Sequence, residues 1–151
     1  AVLALAGLGL FVSIKRGIGR QQTKLLLDQR CLLFMEERES LEELFFQQAS
    51  SSGKPRHLGW VRCDFEPGVV FARDRQNHQL RALVAVTIQF EATPGGDMED
   101  VEAVGNLRAG TAVFLHDGSQ WTTAGRTIYN LDPAEALEHF SQELEPTDEA
   151  S

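Results

Sequence analysis

The stretch Leu80–Phe90, which reads LRALVAVTIQF, decides the fold. Every second residue from Leu80 onward is apolar, whereas the residues between them include Arg81, Thr87 and Gln89. Successive side chains of a strand point to opposite faces of a sheet, and sustained alternation of this kind indicates a half-buried strand. We therefore expect a long strand with one face on a hydrophobic core.

Four further strands are predicted around this stretch, over residues 58–65, 69–73, 108–116 and 120–130. Pro67-Gly68 predicts a tight turn between the first two of them, which would then pair as a hairpin. Asp117-Gly118 is a favoured pair for a two-residue hairpin turn between the last two. Gly125 inside the final strand indicates a bulge or a bend. The pattern predicts a five-stranded antiparallel meander.

Two helices accompany the strands. Residues 21–49 contain no Gly or Pro, and their apolar residues recur at helical spacing. The stripe is formed by Leu27, Cys31, Phe34, Arg38, Leu41 and Phe45 and is widened by Leu26, Leu33 and Leu44. Residues 50–57 form a linker that begins with three Ser residues and Gly53. Asp132, Pro133 and Glu135 predict the capped start of a short helix.

These elements predict an α+β fold, in which the long helix packs on the meander. Residues 58–144 contain the sheet and the C-terminal helix, and residues 145–151 form an acidic disordered tail. The layout resembles the cystatin-like and nuclear-transport-factor-like arrangements, in which a sheet curls round a helix. The resemblance is one of layout alone, so it implies no functional residues.

Residues 1–20 are predicted as a transmembrane segment with a basic flank. The run from Ala1 to Ile14 is apolar or small throughout and stops at Lys15. Because a helix needs about 20 apolar residues to cross a bilayer, we expect further apolar residues upstream of Ala1. The alternatives are a cleaved signal peptide and a buried core helix.

The basic flank favours a cytoplasmic position for the following domain, although basic residues upstream of Ala1 would reverse this orientation. Lys15, Arg16, Arg20 and Lys24 all lie within ten positions after Ile14. Cytoplasmic flanks of membrane segments are enriched in Lys and Arg. We therefore expect a single-pass membrane protein whose distal domain is cytoplasmic.

The two cysteines agree with a reducing compartment. Cys31 and Cys63 fall in different predicted elements and have no metal-binding spacing. We interpret them as two small buried side chains. A disulfide between them is the alternative if the domain lies in an oxidising compartment.

Charge is divided unevenly along the chain. Residues 1–62 contain nine basic and six acidic residues, which gives +3, whereas residues 63–151 contain five basic and sixteen acidic residues, which gives −11. The first part suits contact with anionic headgroups of a lipid bilayer. The acidic second part argues against nucleic acid as a partner, since phosphate binding needs a basic surface.

Three polar residues on the predicted strands are candidates for a ligand pocket: Asp64, Arg81 and Tyr129. Polar groups on a sheet that curls round a helix can converge on a ligand. The alternative for Arg81 is a solvent-facing position beside a cross-strand acid. The four histidines lack metal-ligand spacing, and no catalytic or phosphate-binding motif occurs. No catalytic residue, metal or cofactor is therefore predicted.

The sequence favours a non-enzymatic, membrane-tethered module for protein assembly or sensing. The helix over residues 21–49 would contact a protein partner or a second copy of the chain. Its stripe is wider than the seam of a simple coiled coil. The alternative function is a small ligand-binding protein or enzyme, with a pocket between the curved sheet and the long helix.

Overall fold

The computed structural model describes the backbone of residues 2–147 and the side chains of residues 7–147. Residues 148–151, which belong to the predicted acidic tail, lie outside the described residues, as does Ala1. Backbone contacts divide the chain into two units, residues 1–36 and residues 37–150.

Residues 2–147 form two α-helices and one antiparallel sheet. In chain order the elements are α1 (Val2–Ser51), β1 (Leu58–Phe65), β2 (Val70–Asp74), β3 (Leu80–Ala92), a one-turn 3-10 helix (Glu102–Gly105), β4 (Arg108–His116), β5 (Trp121–Thr122), β6 (Thr127–Tyr129), α2 (Pro133–His139) and β7 (Leu144–Pro146). A long helix packed on an antiparallel sheet, with a second short helix, confirms the predicted α+β class.

Strand β3 is the centre of the sheet, as its alternation predicts. The alternate side chains from Leu80 to Phe90 are all at most 4 % exposed. Strand β4 pairs along one edge of β3, from Arg81 opposite Leu115 to Ile88 opposite Arg108. The prediction of a long strand with one face on a core is confirmed.

Strands β1 and β2 share the other edge of β3. Phe65 pairs with Val86, and Val70 pairs with Leu83 further along the same edge. The predicted hairpin at Pro67-Gly68 is therefore wrong, because the chain continues in the same direction after a short break. The predicted meander is wrong for the same reason. Strand β3 has 13 residues, and neither β1 nor β2 alone is long enough to pair with all of it.

The segment after β4 is also interrupted. Leu115 pairs with Thr122, whereas Ala112 pairs with Thr127, so two additional residues lie between β5 and β6. Gly125 lies in this break with a φ of +75°, where a Cβ would come within 2.4 Å of the backbone nitrogen of Ala49 in α1. The predicted bulge or bend is confirmed, and the close approach of α1 explains why it contains glycine.

Residues 37–51 of α1 cover one face of the sheet. Leu41, Phe45 and Ala49 are buried and continue the predicted stripe by one further position. The ring of Phe45 lies 5.6 Å from that of Phe65 and 5.7 Å from that of Phe114. Aromatic side chains therefore fill the interface between this part of α1 and the sheet.

The short helix α2 covers the other face of the sheet. Ala136 packs in a core with Leu83, Val113 and Ile128. The carboxylate of Asp132 accepts from the backbone N–H of Glu135, whose carboxylate in turn accepts from the backbone N–H of Asp132. This reciprocal pair is the predicted helix cap.

The end of the described chain adds a strand that the sequence does not predict. Leu144, Glu145 and Pro146 form β7 and pair with Ala72–Asp74. Arg75 donates a 3.1 Å hydrogen bond to the carboxylate of Glu145 and pairs with it. The predicted disordered tail therefore begins with an ordered strand.

Residues 2–36 of the first unit form the first part of α1. No helix in the described part of the chain combines the length and the apolar character needed to cross a bilayer. The transmembrane segment predicted over residues 1–20 is not found among these residues, and the side chains of residues 1–6 lie outside the description.

Candidate functional site

The three predicted pocket residues lie apart. Asp64 is exposed on β1 and forms a 2.9 Å ion pair with Arg62. Arg81 pairs with Ala72 of β2 and Leu115 of β4, and Tyr129 is 37 % exposed on β6. By strand alternation Asp64 and Arg81 lie on the face that α2 covers, whereas Tyr129 lies on the face that α1 covers. The structure does not bring them into one pocket.

Arg81 has an ion-pairing role within the fold. Its guanidinium donates a 2.9 Å hydrogen bond to the carboxylate of Asp74, and both side chains are largely buried. The backbone N–H groups of Asn77 and Gln76 donate to the same carboxylate. These hydrogen bonds, followed by the charge of Arg81, lower the pKa of Asp74. The pair secures the turn between β2 and β3.

A cavity of about 270 Å³ lies at the other end of β3. Strands β1, β3 and β4 form part of its wall, and the segment between β3 and β4 closes another part. Its apolar wall includes Leu58, Phe90, Met98, Val101 and Val104. No residue of α1 lines it, so the cavity is not the predicted pocket between the sheet and the long helix.

Three polar residues line this cavity: Arg108, Tyr129 and Asn130. Arg108 begins β4, Tyr129 ends β6, and Asn130 follows with a left-handed φ of +64°. Burial raises the pKa of the Tyr129 hydroxyl. The hydroxyl is therefore protonated at neutral pH and can donate a hydrogen bond.

Arg108 is the cationic group of the cavity. Both terminal nitrogens of its guanidinium donate to backbone carbonyls: Nη2 donates to Ala103 at 3.1 Å, and Nη1 donates to Leu107 at 3.4 Å and to Asn106 at 3.5 Å. Within residues 7–147, no carboxylate lies within ion-pair distance of this guanidinium. A guanidinium has five N–H groups, so two remain for a ligand beyond these three hydrogen bonds, and a partly buried guanidinium of this kind suits a carboxylate.

Sequence reasoning selected Tyr129 but not Arg108. Arg108 has the same alternation as Ala112 and Phe114, which face the α1 side of the sheet. A charged residue in phase with core residues is the signal that could have found it. Met98, Val101 and Val104 give no comparable signal, because their acidic neighbours make residues 97–105 resemble a solvated loop.

Cys31 and Cys63 do not form a disulfide with each other. Burial, and to a lesser extent the charge of Asp64, raises the pKa of the Cys63 thiol to about 12. Cys63 therefore lacks the lowered pKa of a reactive or metal-binding thiolate. Across the described residues, no group of three or more His, Cys, Asp or Glu side chains is placed to hold a metal ion.

A second candidate surface lies on the first unit. Between residues 7 and 18 of this part of α1, six apolar side chains are between 39 % and 65 % exposed: Leu8, Leu10, Phe11, Val12, Ile14 and Ile18. The four predicted flank residues, Lys15, Arg16, Arg20 and Lys24, are exposed on the same part of the helix. The ammonium of Lys15 lies 4.6 Å from the ring centroid of Phe11.

Comparisons with protein families, curated proteins and solved structures found no match to this chain.

Proposed function

We propose that this protein is a membrane-tethered module for protein assembly or sensing. The first unit binds an anionic bilayer, and residues 37–147 form the domain that carries out the assembly or sensing. The observation that carries the proposal is the distribution of apolar and basic side chains around the first unit. It supports a membrane partner, because three of the four flank bases lie opposite the exposed apolar side chains, whereas Lys15 lies within the apolar arc with its ammonium near the ring of Phe11.

At 3.6 residues per turn, the six exposed apolar side chains from Leu8 to Ile18 span an arc of about 200° around α1. Leu25 and Leu26, which are 55 % and 48 % exposed, continue the same arc. Arg16, Arg20 and Lys24 fall within about 80° on the opposite side. A helix with this separation suits the interface of a membrane, with its apolar side in the acyl region and its bases at the headgroups.

The proposed membrane contact uses only side chains within residues 8–26. The single-pass topology predicted from residues 1–20 is the finer form of the same proposal and would need a longer apolar stretch. In both forms the bases contact anionic lipid, and a cytoplasmic domain is the expected arrangement because that leaflet is the negative one. The net acidic distal part of the chain would be repelled by the same surface.

The filled interface between the sheet and residues 37–51 supports a module in preference to a pocket at that position. Leu41, Phe45 and Ala49 are buried within their own chain, so they would not serve a partner. A protein partner, or a second copy of the chain, would instead contact exposed positions such as Leu32 and Met35. We also propose that the sheet and the long helix have a cystatin-like or nuclear-transport-factor-like layout, in which the sheet curls round the helix.

Vesicle flotation of the purified chain tests the membrane contact. We expect flotation with vesicles of phosphatidylcholine and phosphatidylserine, and much weaker flotation with phosphatidylcholine alone. Each base near an anionic surface contributes about 1 kcal/mol. Reversing Arg16, Arg20 and Lys24 to Glu should therefore weaken binding at least about 100-fold.

The matched control reverses three exposed bases of the second unit, Lys54, Arg56 and Arg62, to Glu, which changes the net charge equally. This control should retain most of the binding. Equal loss in both triple variants would mean that net charge alone governs the effect, and retained flotation in the α1 variant would exclude the proposed surface.

A further inference from the structure

We propose that the cavity at the end of β3 binds a small monocarboxylate with an apolar body, its carboxylate on Arg108 and its apolar part against Leu58, Phe90, Met98 and Val101. This site goes beyond the membrane contact, because all of its residues lie in the second unit. It gives the domain a ligand of defined chemistry.

The first argument is the composition of the wall. The side chains on the strands contribute aromatic and aliphatic surface, as do Met98, Val101 and Val104 of the connecting segment. Apolar surface with a few convergent polar groups is the usual composition of a small-molecule site. The volume of about 270 Å³ lies just below the range of roughly 300–1,000 Å³ for drug-sized ligands, which restricts the occupant to a small molecule.

The second argument is charge. Arg108 is a cation, and none of the other residues that line the cavity is acidic. The cavity wall therefore carries one positive charge, which matches one carboxylate. A guanidinium binds a carboxylate through two parallel hydrogen bonds, and the Tyr129 hydroxyl supplies a neutral donor on the same wall.

The third argument selects a monoanion over a dianion. Asp97, Glu99, Asp100 and Glu102 are neighbours in sequence of the lining residues Met98 and Val101. Their negative charges do not line the cavity, but they raise the cost of bringing a second negative charge to its opening. A phosphate monoester is therefore a poorer ligand than a carboxylate.

Isothermal titration of the full chain with octanoate, and separately with octanamide, tests the proposal. The two probes have the same apolar body and differ in charge. We expect saturable binding of octanoate with one site per chain, and at least tenfold weaker binding of octanamide. Equal affinities for the two probes, or no saturable binding, would overturn the proposal without the use of any variant.

Arg108→Gln should weaken octanoate binding at least tenfold and leave octanamide binding unchanged. Arg126→Gln is the matched control, because Arg126 is exposed, lies just before β6 and does not line the cavity. This control should bind both probes as the unmodified chain does. Octanoate binding that survives Arg108→Gln would assign it to another surface, such as the bases of α1, and would refute the site.

Location is tested by filling the cavity. Val101→Trp introduces a large side chain at its wall and should abolish octanoate binding, whereas Leu107→Trp, at an exposed position that does not line the cavity, should not. Equal binding in the two tryptophan variants would contradict this position for the ligand. Phosphatidylserine flotation should be unchanged in both, so the outcome is distinct from that of the membrane experiment.

Discussion

Replacing Phe45 by alanine should be among the most destabilising single changes in the second unit. Phe45 is fully buried. Its ring lies at an edge-to-face angle to Trp60, at a centroid distance of 6.3 Å, and to Phe65, at 5.6 Å, and it packs on Phe114 at 5.7 Å. Its removal therefore takes away the residue that links β1, β4 and α1.

The magnitude follows from two terms. A buried Phe→Ala change costs about 3–5 kcal/mol, including the cavity that it leaves. Edge-to-face and tilted ring pairs contribute about 0.5–1.5 kcal/mol each beyond the burial of area, which places Phe45 in the upper half of that range. With a urea m-value of about 2 kcal/mol/M, a loss of about 4 kcal/mol lowers the unfolding midpoint by about 2 M.

Urea unfolding followed by tryptophan fluorescence and by far-ultraviolet circular dichroism measures this loss. Trp60 contacts Phe45 directly, so its emission should move to the red in the variant even before unfolding. Phe46→Ala is the matched control, since Phe46 is the next residue of the same helix and is only partly buried. It should lower the midpoint by less than half as much. Equal midpoints for the two variants, at equal m-values, would refute the assignment of Phe45 to the core.

Three further predictions concern other parts of the domain. Gly125→Ala should cost about 1–3 kcal/mol because a Cβ would overlap α1, whereas Gly118→Ala, which also has a positive φ but open space around it, should cost less in the same urea titration. The pKa of Asp74 is lowered on folding, so its contribution to stability is present above the pKa of the unfolded chain and is lost as the pH falls through the lower folded value; the stability difference between the wild type and Asp74→Asn should therefore be largest near pH 7 and shrink below about pH 4, and a constant difference would contradict this. With Cys31→Ala as background, Cys63 should react with a disulfide reagent at pH 8 at least about 30 times more slowly in the native than in the urea-unfolded chain, because its thiolate fraction is much smaller and the greater nucleophilicity of a thiolate of higher pKa offsets only part of that loss; equal rates would be inconsistent with the raised pKa.

The parts of this fold that could be predicted are those that local sequence determines. The alternation of Leu80–Phe90 depends only on the period of a strand. It predicts both the strand and its buried face, and the structure confirms both. The cap formed by Asp132 and Glu135 depends on residues three positions apart. Gly125 was identified as a break because glycine inside a strand pattern usually marks one.

The candidate site was predictable only in part. Tyr129 was selected as a polar residue on a strand, and the cavity contains it. Asp64 and Arg81 were selected by the same rule, but each finds an ion-pairing partner close in sequence, Arg62 and Asp74. Which polar side chain has a partner depends on side-chain geometry, and strand alternation alone does not contain that information.

The path of the chain between β1 and β2 shows why a local turn signal can fail. Pro67-Gly68 suits a tight turn, and it equally suits a short break in a strand that continues. Whether the chain turns or continues at this point depends on a contact with a residue that is distant in sequence. Arg38 of α1 donates hydrogen bonds to the backbone carbonyls of Glu66 and Pro67, and a 2.7 Å ion pair with Glu42 holds its guanidinium in place.

Glu66 and Pro67 are exposed, so water could also satisfy their carbonyls, and the hydrogen bonds from Arg38 favour this break in the strand without being essential to it. Arg38 lies within the apolar stripe of α1, between Phe34 and Leu41, and a cation at such a position is costly unless it is paired. The strand break and Arg38 therefore stabilise each other. The carbonyls of the break accept hydrogen bonds from the arginine, and these hydrogen bonds offset the cost of a cation within the apolar stripe. A cation at a core position of a helix, such as Arg38, is consequently evidence about the part of the sheet that faces it. It favours a strand break whose carbonyls can accept hydrogen bonds from the cation over the closed hairpin that the Pro-Gly pair alone suggests.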